Sequence, residues 1–175
     1  MNLPSWITFS RLLGAPLVLI LMLEPTPLRA WWAVGIFLVA ASTDWVDGYL
    51  ARRLNQVTEL GKFLDPLVDK LLVLAALLAL IELDKVPAWG VFLILVRELG
   101  ISGWRVNPTF QSQSVPGANL WGKAKTVVQI AAIAYLLAPL PAPWQPLGIV
   151  LFWVAVALTL ISGGLYVLPQ LKANP

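Results

Sequence analysis

Long apolar runs alternate with short polar joints along the whole chain. Six stretches, 6–23, 30–51, 63–83, 88–105, 120–138 and 145–168, are each about as long as the roughly 20 residues a helix needs to cross a bilayer. Proline, glycine and charge collect at the joints: Glu24-Pro25-Thr26-Pro27, Arg52 to Lys62, Asp84 to Pro87, Val106 to Asn119 and Pro139 to Pro143. The pattern predicts an all-α, integral membrane bundle of six transmembrane helices in one domain, 1–175. No internal repeat is visible. The first run lacks a basic region before it, carries Arg11 inside it and ends without a small-residue cleavage motif, so it is expected to be retained.

Composition agrees with that layout. Hydrophobic residues make up 59% of the chain and charged residues 12%, against about 25% charged in a soluble domain. Six of the nine tryptophans, Trp31, Trp32, Trp89, Trp104, Trp121 and Trp144, fall near predicted helix ends, as an interfacial aromatic belt requires. Arg52, Arg53 and Lys62 crowd the second joint. Arg105, Lys123 and Lys125 flank the fourth, and Lys172 lies in the tail. The other side has only Arg29 and Lys85. Cationic loops favour the cytoplasm, so both termini and these two joints are expected there, in a plasma or inner membrane. The net charge of +3 then faces anionic headgroups and phosphorylated metabolites, with no nucleic acid implied.

Cysteine and histidine are both absent. Thiolate chemistry, disulfides and imidazole ligands are thereby excluded, and carboxylates remain as metal ligands and general bases. Four of them stand out. Asp44, Asp47, Gly48 and Ala51 fall within one arc of the second predicted helix, and Gly61, Asp65 and Asp69 form one stripe entering the third. Two helices joined by a short turn lie antiparallel, so the two acidic stripes can face each other. Carboxylates near lipid are costly unless paired or metal-bound, and an all-oxygen set suits Mg2+ or Mn2+. The small residues on the same faces leave room for a ligand, and Arg52 offers a fork suited to phosphate. Ion pairing with Arg52, Arg53, Lys62 and Lys70 is the plain structural alternative. Four acids at two helical spacings beside small residues favour a metal site for phosphoryl transfer. A transporter would also bury carboxylates, but with broken helices at mid-membrane and repeated halves.

The run Asp44-x-x-Asp47-Gly48-x-x-Ala51-Arg52, eight residues, then Gly61-x-x-x-Asp65-x-x-x-Asp69 resembles the signature of the CDP-alcohol phosphatidyltransferase family at every position. Asn2-Leu3-Pro4 with Thr8 and Arg11, Arg97-Glu98, and Gly122-Lys123-Ala124-Lys125-Thr126 with Gln129 are similar to the branch of that family whose acceptor is glycerol 3-phosphate. The resemblance implies CDP-diacylglycerol bound through its pyrophosphate on Mg2+ or Mn2+, with two ions as the expectation. It makes Asp44, Asp47, Asp65 and Asp69 the metal ligands and Asp69 also the general base. Asp47, Gly48, Ala51, Arg52, Gly61 and Asp65 would receive the nucleotide. Serine, inositol phosphate or phosphatidylglycerol remain alternative acceptors, and a homodimer is implied.

The other cations have two readings each. Arg97-Glu98, deep in the fourth run, is either a buried ion pair or a grip on the acceptor's phosphate, with Arg105 or Lys123 assisting. Lys123 and Lys125, two apart, cannot both point one way. Arg11 either snorkels to the interface or meets a substrate phosphate.

Overall fold

A computed structural model describes residues 3–54, 59–106 and 120–173. The side chains of residues 3–10, 44–54, 59–67, 69, 104–106, 120 and 167–173 lie outside that description. Among the described residues there are six α-helices and no strand: α1 (Leu3–Leu23), α2 (Pro27–Leu54), α3 (Glu59–Glu82), α4 (Ala88–Val106), α5 (Leu120–Leu137) and α6 (Gln145–Ala173). A single 3-10 turn, Ala142–Trp144, leads into α6.

Helix ends follow local chemistry. Thr26 caps α2 by accepting the Arg29 N–H at 3.3 Å, and Pro27 occupies the first helical position, where its missing N–H costs nothing. At the end of α3, Lys85 N–H bonds the Leu80 carbonyl and Asp84 N–H bonds that of Ile81, both at 2.9 Å. Asp84 takes the left-handed φ of 53°, so this is a Schellman stop with aspartate in the usual glycine position, and Pro87 soon follows.

Helices α1, α2 and α3 pack together, as do α5 and α6, while α4 packs on α6 and α3. Gly14 on α1 sits against Ile36 and Ala40 of α2 and Leu72 of α3. A Cβ on Gly90 of α4 would come within 2.8 Å of the Phe152 ring of α6. One on Gly148 of α6 would stand 2.7 Å from Leu136 of α5. Such close approach through small residues is how helices associate when lipid removes the hydrophobic drive between them. The core is built from alanine and mid-sized aliphatics, among them Ala33, Ala75, Ala76, Ala79, Leu77, Leu80 and Ile94.

The outside is apolar and the inside holds polar groups. Leu13, Ile20, Leu23, Val39, Phe92, Val127, Val150 and the tryptophans Trp31, Trp32, Trp89, Trp121 and Trp144 are exposed, while Arg11, Lys125, Gln129, Thr159 and Ser162 are buried. Among the described residues, Ala142–Tyr166 is the one helix long and apolar enough by itself to cross a membrane, and Arg11–Leu23 and Pro27–Thr43 are shorter apolar helices. The charged residues within α3, α4 and α5 interrupt their apolar stretches.

Candidate active site

The signature aspartates lie on two helices that pack against each other: Asp44 and Asp47 on α2, Asp65 and Asp69 on α3. Gly48, Ala51 and Arg52 share that part of α2, and Gly61 stands near the start of α3. The side chains of all these residues lie outside the described set, as does that of Arg105 on the last turn of α4. Among the described residues no carboxylate cluster suitable for a metal occurs. The four carboxylates on these two helices would make an oxygen-only donor set, which fits Mg2+ or Mn2+.

Next to this pair lies a polar cluster with described side chains. Glu98 Oε1 of α4 accepts from Arg97 Nη1 at 3.0 Å, and Lys125 Nζ of α5 donates to the same oxygen. Lys125 is 5% exposed. One carboxylate therefore serves one guanidinium and one ammonium group, which leaves positive charge in excess in a largely desolvated place. Lys70 Nζ of α3 donates to Ser102 Oγ, one turn beyond Glu98 on α4, and Lys70 interacts electrostatically with both Glu98 and Lys125. Because Lys70 follows Asp69 directly, this contact ties the aspartate-bearing part of α3 to the cation cluster.

Arg97 Nε and Gln129 Oε1, both buried in this layer, have no hydrogen-bond partner among the described residues. Gln129 is 5% exposed and lies one turn beyond Lys125 on the same face of α5. A buried group without a partner forfeits about 1–3 kcal/mol, so such atoms mark where a ligand has something to offer. Thr159 and Ser162 of α6, also buried, instead satisfy themselves on Ala155 and Thr159 carbonyls at 2.6 and 3.0 Å.

Depth is consistent across the layer. At about 1.5 Å per residue, Arg11 is about 12 Å from the start of α1, Asp69 about 15 Å from the start of α3, and Arg97 about 13 Å from the end of α4. On the same scale Gln129 is about 13 Å from the start of α5. The contacts of α3 with α4 and of α4 with α5 put these helix ends on one side of the bundle.

The single and paired cations now separate. Lys125 points inward and Lys123 is exposed, as their two-residue spacing requires. Arg97 with Glu98 is an ion pair, and Lys125 rather than Lys123 joins it. Arg11 is 1% exposed, so it does not snorkel. Lys70, named from the sequence only as a possible ion-pair partner of the signature acids, instead meets Ser102, and neither Ser102 nor Gly163, the latter pressed against Arg97, stands out in the sequence. A polar-small run, Thr159 to Gly164, inside an otherwise apolar helix was the available signal.

A recess of about 540 Å3 opens elsewhere, lined by Asp84, Lys85, Tyr135, Leu140, Gln145 and Ile149 among others. It lies at the far end of α3, about 20 Å along the helix from Asp69, and shares no residue with the polar layer.

A helix pair carrying this complete aspartate signature defines a class. The family model described as CDP-alcohol phosphatidyltransferase matches residues 1–161, and the chain belongs to that family. Its similarity runs further to particular members. It is 42% identical to a Bacillus subtilis protein named CDP-diacylglycerol–glycerol-3-phosphate 3-phosphatidyltransferase, over 94% of this chain and 93% of that one. Proteins of the same name from Pseudomonas fluorescens and Rickettsia bellii are 38% and 34% identical, each over 94% of this chain and over 84% and 93% of their own lengths.

Proposed function

We propose that the chain transfers the phosphatidyl group of CDP-diacylglycerol to sn-glycerol 3-phosphate, giving phosphatidylglycerophosphate and CMP. The observation that carries this reading is a buried, cation-rich cluster on α4 and α5, tied through Lys70 and Ser102 to the helix that bears Asp65 and Asp69. One part of the site suits a nucleotide-bearing lipid and the adjoining part suits a small phosphorylated acceptor. The names of the relatives, alike in substrate and acceptor, support the same assignment.

Asp44, Asp47, Asp65 and Asp69 would hold Mg2+ or Mn2+, two ions by our reading. When bound, the metal neutralises pyrophosphate charge. Gly48, Ala51, Arg52 and Gly61 receive the cytidine diphosphate. Arg97 and Lys125, with Arg11 at a similar depth to Arg97 and Arg105 and Lys123 nearer the helix ends, hold or attract the acceptor's phosphate. The acceptor hydroxyl gives its proton to the Asp69 carboxylate, and its oxygen bonds to the lipid-bearing phosphorus. The bond from that phosphorus to the CMP oxygen breaks, and CMP leaves with the electron pair.

The exposed apolar belt supports a single membrane-embedded domain of six transmembrane helices. Both termini and the site face the cytoplasm of a plasma or inner membrane, and the protein works as a homodimer. Lipid substrate then enters sideways while the acceptor arrives from water. Purified protein given CDP-diacylglycerol and Mg2+ should release CMP only when glycerol 3-phosphate is present, and chelation should stop it. CMP release indifferent to chelator or acceptor would refute the assignment.

A further inference from the structure

Arg97 is held at both its guanidinium and its stem. Its Nη1 is fixed on Glu98 at 3.0 Å. Its Nε is buried and has no partner among the described residues. Its stem lies against the backbone of Gly163 on α6, where a Cβ would stand 3.0 Å from Arg97 Cγ and 3.8 Å from Nε. The near atom is at the root of the side chain rather than at its flexible tip, so Arg97 has no easy way to swing clear. Gly164, the next residue on the same helix, has nothing within 4 Å of its would-be Cβ among the described residues.

We propose that Gly163 is a positioning residue for the acceptor site: its missing side chain gives the Arg97 stem its seat, which aims the guanidinium at the acceptor's phosphate. This rests on the reading of Arg97 as a phosphate ligand. Glycine usually weakens a helix by about 1 kcal/mol relative to alanine, so a glycine at a helix interior calls for a packing reason, and here the reason is one arginine. The contact works on geometry alone, with no charge at Gly163. Glu98 fixes the guanidinium end, Gly163 admits the stem, and Nε is left as a donor with no partner among the described residues.

The test compares Gly163→Ala with Gly164→Ala, which add the same methyl group to the same helix. KM for glycerol 3-phosphate should rise about tenfold in Gly163→Ala, since displacements near 1 Å at a binding group cost one to two orders of magnitude. KM for CDP-diacylglycerol should stay within about twofold. Gly164→Ala should match the parent on both. In an Arg97→Ala background the Gly163→Ala change should have no further effect on acceptor KM. If Arg97→Ala itself leaves acceptor KM unaltered, the phosphate-ligand reading fails. If Arg97→Ala raises it while Gly163→Ala does not, or does so equally without Arg97, the role of Gly163 is overturned. Should Gly163→Ala reduce the yield of folded protein, the double variant decides: recovery of folding supports the seat, and no recovery overturns it.

Discussion

The two ends of the bundle treat polar groups in opposite ways. At the end marked by the α3–α4 and α5–α6 joints, polar groups close on nearby backbone. Lys85 Nζ donates to the Leu136 carbonyl at 2.6 Å, and burial pushes that ammonium below its ordinary pKa. The Tyr135 hydroxyl donates to the Trp144 carbonyl at 3.0 Å, and Asp84 completes the Schellman stop. At the other end, one Glu98 oxygen is divided between two cations, and Arg97 Nε and Gln129 Oε1 have no partner among the described residues. A helix bundle in lipid must satisfy its polar groups internally. The end that does so serves structure, and the end that holds some in reserve is the one proposed to take a ligand.

The contrast is broken most severely at the signature. Asp69→Asn should lower turnover by at least about 100-fold, the low side of general-base contributions, while CDP-diacylglycerol binding is largely spared. Turnover and equilibrium binding measured on the same preparation separate the two, and near-normal turnover would remove Asp69 from the base role.

A smaller effect distinguishes the two neighbouring lysines. Lys125→Ala should raise acceptor KM about tenfold, in line with loss of a charged hydrogen bond, whereas the exposed Lys123→Ala should change it by no more than about twofold. Equal effects would mean that the inward and outward faces of α5 are not distinct in function.

At the opposite end the same assays should be nearly silent and stability should respond instead. Gly148→Val forces a side chain into the Leu136 and Tyr135 contact and should cost about 1–3 kcal/mol by overpacking. It should be read as a lower midpoint of thermal unfolding in detergent with both KM values unchanged. A shift in acceptor KM there would show that the two ends are coupled.

Much of this arrangement was legible in the sequence. The six apolar runs mark the six helices, and proline and glycine mark their joints. Helices α2 and α3 nevertheless extend beyond the apolar runs, from Pro27 to Leu54 and from Glu59. The reason is that these polar, charge-bearing turns remain helical where hydropathy has no signal. The inward choice between Lys123 and Lys125 needed the bundle, because spacing says only that the two diverge. Arg11 likewise needed burial to decide between its alternatives. Gly163 and the Lys70–Ser102 contact were invisible for a different reason. They join residues far apart in the chain, and nothing local in either partner reports the other.

The most direct test of the account offers the purified protein CDP-diacylglycerol and Mg2+ with glycerol 3-phosphate, serine, inositol phosphate and phosphatidylglycerol together, and identifies the lipid formed. Phosphatidylglycerophosphate should be the dominant product, accompanied by CMP in equal amount. A product built on any of the other three acceptors would contradict the assignment of the Arg97–Lys125 cluster to glycerol 3-phosphate.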